Sequence, residues 1–128
     1  MKLLININKN IVIFLILTAI ASGAYLKDIP VTLNQPDGNI LHCFASGDEF
    51  YNYLHDENGF SIIQSQEDGY YYYAKKINHK IVPTASRADS NINPASIGLS
   101  SGTVISKEQY INRRVRWWDN IETRDTPT

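Results

Sequence analysis

The side chains able to do chemistry are few in this 128-residue chain. Three histidines, His42, His55 and His79, and one cysteine, Cys43, are its usual metal ligands and nucleophiles. No two histidines stand four apart around a glutamate, so the helical zinc motif His-Glu-x-x-His does not occur. A zinc site assembled from distant residues needs three or four convergent ligands, and these four are scattered. A Gly-x-Ser-x-Gly elbow for acyl transfer is also missing. Cys43 with a distant histidine has nothing in the sequence to orient it. Phosphate loops and dinucleotide fingerprints do not occur either. The sequence therefore implies a non-catalytic chain with no metal site and no cofactor of its own.

Two strings in residues 47–63, GDEFYNYLHDENGFSII, imitate functional motifs. "GDEF" is a four-letter match to a nucleotide cyclase signature, which needs a doubled glycine; residue 46 is Ser. "DENG" suggests a calcium loop, but from Asp56 the third ligand position falls on Phe60 and the required Gly on Ser61. A structural reading fits better. Gly47 ends a strand, and Asp48 can cap a helix. Phe50, Tyr53 and Leu54 then share one helical face. Asp56-Glu57-Asn58-Gly59 reads as the exit turn of a two-turn helix.

The elements around that stretch follow from its flanks. Residues 1–24 have a basic start, an unbroken apolar run and small residues after it, the order of a secretory signal. The run is shorter than the roughly 20 residues a membrane span needs, so we expect an exported protein, extracellular or periplasmic, with no stable membrane anchor after cleavage. Beyond residue 24 remain ten basic and thirteen acidic residues, a balance that does not favour nucleic acid. Eight Tyr, four Phe and two Trp can fill a small core without disulfides. Cys43, alone, reads first as a buried small hydrophobe.

Ile29, Val31 and Leu33 alternate as a strand does. Gln35-Pro36-Asp37-Gly38 is a turn, and NILHCFA returns as an inner strand. FSIIQS and YYYYAKK form a second hairpin about Glu67-Asp68-Gly69. In the Tyr run alternate rings must take opposite faces, one pair packing on the short helix. IVPT adds a third strand, in which Pro83 marks an edge or a strand end. Residues 85–105 are rich in Ser, Asn, Ala and Gly, a linker or an extended segment laid over a surface. Ser106 and Gln109 make a capping box that opens a helical segment, 106–120, carrying Arg113, Arg114, Arg116, Trp117 and Trp118.

The expectation is an α+β fold: a small antiparallel sheet of hairpins with one short helix packed on it (25–84), then a linker and a C-terminal helix. An ordered residue set supports a resemblance. It runs Pro30-Val31-x-Leu33-x-Gln35-Pro36-Asp37-Gly38, Gly47-Asp48-Glu49-Phe50-Tyr51-x-Tyr53-Leu54-x-Asp56, Gly59-Phe60-x-Ile62, Gly69-Tyr70-x-Tyr72-Tyr73-Ala74 and Val82-Pro83. This set resembles the N-terminal pro-region of secreted bacterial zinc metalloproteases of the immune-inhibitor-A-like class, over about residues 25–118. The resemblance implies a pro-region, without its enzyme, that aids folding or latency of a cognate metalloprotease domain, in cis in a longer chain or in trans. Latency needs a group that reaches the zinc or the cleft. Cys43 and Asp48 are the chemical candidates, and the Arg-Trp segment is the candidate contact. The alternative is a free-standing secreted binding or surface-adhesion module, with the same Tyr and Arg-Trp surface as its contact.

Overall fold

The computed structural model describes residues 24–124; all but the last residue of the expected signal segment lies outside them. Six strands follow in chain order: β1 (Leu26–Asn34), β2 (Ile40–Gly47), β3 (Asn52–His55), β4 (Ser61–Gln64), β5 (Tyr71–Ile77) and β6 (Lys80–Arg87). Each pairs antiparallel with the next, so the sheet order is the chain order. One long helix, α1 (Lys107–Arg124), follows a 3-10 turn at Pro94–Ile97. The α+β class holds in its coarse form, with sheet dominating.

Alternation fixes the two faces. Val31, Leu33, Leu41, Cys43, Ala45, Ile62 and Tyr73 share the buried face with Ala88, and Leu54, Phe60, Tyr71 and Leu99 pack against them. The register agrees: Val31 faces Cys43 and Leu33 faces Leu41, Leu54 faces Ile62, and Ile62 faces Tyr73. As expected, β2 is an inner strand and the Pro83 strand lies at an edge.

The short helix after Gly47 is not formed. Asp48 Oδ1 accepts from the Phe50 and Tyr51 N–H groups, and the Asp48 N–H donates to the Tyr51 carbonyl. That closes a tight turn instead of a first helical turn, and residues 52–55 then pair with β2 and β4. Two periods competed here. Phe50, Tyr53 and Leu54 fit a helix, whereas Tyr51, Tyr53 and His55 alternate as a strand. Pairing on both sides decided for the strand, overriding a two-turn helix that is marginal by itself. Gly47 enforces the choice: its φ is +127°, and a Cβ there would run into the Tyr51 carbonyl. Asp56–Gly59 is consequently a hairpin turn, with Asp56 Oδ1 accepting from the Asn58 and Phe60 N–H groups. Tyr71 and Tyr73 face the core rather than a helix.

The QPDG turn does more than turn. Gln35, 2 % exposed, donates to the Tyr71 carbonyl and accepts from the Tyr71 N–H, as a neighbouring strand would. It also donates to Asp89, whose carboxylate is held by Arg87, and Arg87 in turn pairs with Asp37. The β1–β2 turn is thereby fastened to the start of β5 and the end of β6, and the sheet curls.

Residues 88–106 are a strap, the second of the two expected alternatives, and β6 claims the first three residues of the expected linker. Ala88 and Leu99 pack on the core face. The chain then passes the β3–β4 turn, where Ser101 Oγ donates to the Asn58 carbonyl and the Gly102 N–H to that of Gly59. Ser61 Oγ, on the opposite face from Ile62, donates to the Thr103 carbonyl. The strap thus delivers α1 to the sheet's second face.

Candidate partner-binding face

Helix α1 begins as its sequence requires. Ser106 Oγ accepts from the Gln109 N–H, and Gln109 Oε1 accepts from the Ser106 N–H, a reciprocal capping box. The Gln109 side chain also donates to the His79 carbonyl at 2.7 Å. One residue on, the Tyr110 hydroxyl donates to Asp48 Oδ2 at 2.6 Å. The first turn of α1 is therefore pinned between the β5–β6 and β2–β3 turns.

From there the helix presents two stripes. Tyr110, Arg114 and Trp117 recur on one side and clasp Phe50. The Tyr110 and Trp117 rings meet it edge to face at 6.0 and 5.6 Å, and the Arg114 guanidinium lies 5.8 Å from its centre. Arg113 sits 5.3 Å over the Tyr51 ring. Tyr51 then stacks on Tyr53, and the Tyr53 ring meets His55 at a tilt of 42°.

The second stripe, Ile111, Val115 and Trp118, is spaced i, i+4, i+7 and points to solvent. These residues are 46, 51 and 51 % exposed. Trp118 meets Trp117 edge to face at 4.8 Å, so one apolar surface runs from Phe50 through both Trp rings to Val115 and Ile111. Arg116 is exposed beside it.

The other sequence candidates are engaged inside the domain. Cys43 is 3 % exposed, and burial pushes its thiol up to about 11; it is a protonated core side chain. Asp48 accepts the two turn N–H groups and the Tyr110 hydroxyl. Neither is brought near Arg116 or Trp118 as a cluster. Among the described residues no three His, Cys, Asp or Glu side chains gather as a metal site would require, and no helix is long and apolar enough to cross a membrane.

A pairing that the spacing concealed is Ser46 with His55. Ser46 Oγ lies 2.7 Å from His55 Nε2, and His55 Nδ1 lies 2.8 Å from the Asp56 carbonyl. A carbonyl only accepts, so Nδ1 carries a proton, and Asp28 Oδ1 lies 3.5 Å from Nε2. Ser46 Oγ in turn accepts from the Asp28 N–H at 2.9 Å. Asp28 has φ +53°, at an irregularity in β1, and this bond helps hold it there. Ser46 and His55 are only 3 and 5 % exposed. Packed inside, the pair clips β1, β2 and β3 together. Its signal in the sequence was only parity: residues 46 and 55 lie on one face once β2 and β3 pair.

Compared with known proteins, the chain matches no family model, no curated protein and no solved structure.

Proposed function

We propose that this chain is a non-catalytic, exported pro-region that assists folding or latency of a secreted zinc metalloprotease, binding the protease domain through helix α1. The observation that carries the reading is the exposed Ile111, Val115 and Trp118 stripe, continuous with the Phe50–Trp117 contact. Apolar side chains at helical spacing on a solvent face indicate a partner, and the exposed Arg116 offers a polar anchor on the same helix. Tryptophan and arginine are the residue types that most often dominate binding energy. The ordered motif set also gains physical sense. Gln35, Asp37, Gly38, Gly47, Asp48, Asp56 and Gly59 all build turns that frame the sheet and seat α1.

Latency in this reading comes from the helix covering the protease surface. Cys43 and Asp48 take part only if the domain opens, because each is already engaged internally. The test is refolding of an immune-inhibitor-A-like protease domain with and without equimolar chain. The proposal expects a higher yield of folded protease, or lower activity of the mature enzyme, when the chain is present. No change in either quantity contradicts it.

A further inference from the structure

A groove of about 630 Å³ runs beside helix α1 and reaches the core-face residues Val31, Leu33, Leu54 and Ile62. Tyr53, Ile63 and Ile81 line it from the strands and Ile105 from the strap, and Gln109 and Arg113 close it from the helix. Its volume lies within the range of sites that hold small molecules, roughly 300–1,000 Å³. The charge pattern is one-sided. The chain carries more acidic than basic residues, yet no Asp or Glu lines the groove, while Lys80 and Arg113 both do. The Gln109–His79 hydrogen bond draws the β5–β6 turn, with Lys80, against the first turn of α1. Arg113 stands one turn further along the helix, over Tyr51.

We infer that the groove binds a long-chain carboxylate: an unbranched alkyl chain along the aliphatic wall, with its carboxylate at Arg113 and Lys80. Burial of each added methylene then tightens binding about fourfold until the groove is full. The guanidinium adds a charge-assisted hydrogen bond that a neutral headgroup cannot match. This site uses a different surface from the Ile111, Val115 and Trp118 stripe, so either proposal can fail alone.

The test is calorimetric titration of the full chain with dodecanoate, dodecanol and dodecyltrimethylammonium, each below its micelle concentration. Dodecanoate is expected to bind at least tenfold tighter than the alcohol, and the cationic amphiphile to bind weakest. Arg113→Gln should bring dodecanoate close to the alcohol and leave the alcohol unchanged. Ile63→Trp, which fills the groove, should weaken both, with circular dichroism confirming that each variant is folded. Equal affinity for the acid and the alcohol, or no binding of dodecanoate to the folded wild-type chain, overturns the assignment.

Discussion

The Tyr110 hydroxyl on helix α1 reaches across to the Asp48 carboxylate on the β2–β3 turn, at 2.6 Å. The same carboxylate caps two backbone N–H groups of its own turn. Asp48 therefore shapes the turn and also seats the helix that carries the proposed contact surface. Tyr110→Phe removes only the second role. It should cost about 1 kcal/mol of helix attachment, in line with a partly exposed bond to a charged acceptor. Hydrogen exchange should show faster opening of 107–124 with the sheet amides unchanged. Asp48→Ala should loosen both the turn and the helix. Equal protection in wild type and Tyr110→Phe would show that the bond does not hold the helix.

Gln35 should behave as a core residue despite its polarity. Gln35→Leu leaves the Tyr71 N–H without its partner, while the Tyr71 carbonyl keeps the Ala88 N–H and Asp89 Oδ1 keeps Arg87. One unsatisfied buried group costs about 1–3 kcal/mol, and a loss in that range is expected. The urea midpoint reads this directly, and a change below about 0.5 kcal/mol, the range of ordinary surface substitutions, would contradict the role.

Two glycines with positive φ should respond differently to alanine. At Gly38 nothing lies within reach of an added Cβ, whereas at Gly47 the Cβ meets the Tyr51 and Asn52 backbone. Gly38→Ala should cost about 1 kcal/mol from backbone conformation alone. Gly47→Ala must also displace the β2–β3 turn and should cost at least twice as much on this scale. Equal midpoint shifts in thermal unfolding would remove the packing argument.

Alkali should destabilise the fold through two buried groups. Burial raises the Cys43 thiol to about 11 and the Tyr73 hydroxyl to about 12. Both folded values lie above the unfolded ones, about 8.5 and 10. The stabilisation they carry is therefore complete below the unfolded values and is lost as pH rises through the folded ones. Unfolding midpoints should begin to fall near pH 9, and Cys43→Ala should delay the onset. A disulfide-exchange reagent at pH 8 should label native Cys43 far more slowly than the urea-unfolded chain; fast native labelling would show an accessible thiol.

Much of the sheet was legible because its signals were local. The β1–β2 and β4–β5 hairpins announced themselves by alternation and Gly-containing turns, and the Ser106–Gln109 box marked the start of α1. What escaped was non-local. Residues 50–54 satisfied a helical period as well as a strand period, and only pairing with both β2 and β4 could choose. Gln35 looked like a turn residue because its partner, Tyr71, lies 36 positions away. The Ser46–His55 clip likewise depends on register. At the contact surface, the sequence supplied Arg113, Arg114, Arg116, Trp117 and Trp118 as one basic aromatic run. The fold sorts them by contact: Arg113, Arg114 and Trp117 meet Tyr51 and Phe50, with Trp117 still 41 % exposed, while Trp118 joins Ile111 and Val115. Those two aliphatic residues were missed, although the i, i+4, i+7 spacing with Trp118 could have found them.

Trp118 is the most direct probe of the proposed partner contact. Trp118→Ala should leave the domain's unfolding midpoint nearly unchanged, since the ring is about half exposed and touches mainly Trp117. The decisive measurement is the affinity of the wild-type chain and of Trp118→Ala for an immune-inhibitor-A-like zinc protease domain, by surface plasmon resonance at physiological salt. The pro-region account predicts saturable binding that Trp118→Ala weakens at least about thirtyfold, matching a hot-spot loss of about 2 kcal/mol. Absence of binding by the folded wild-type chain, or equal binding by both proteins, would contradict it.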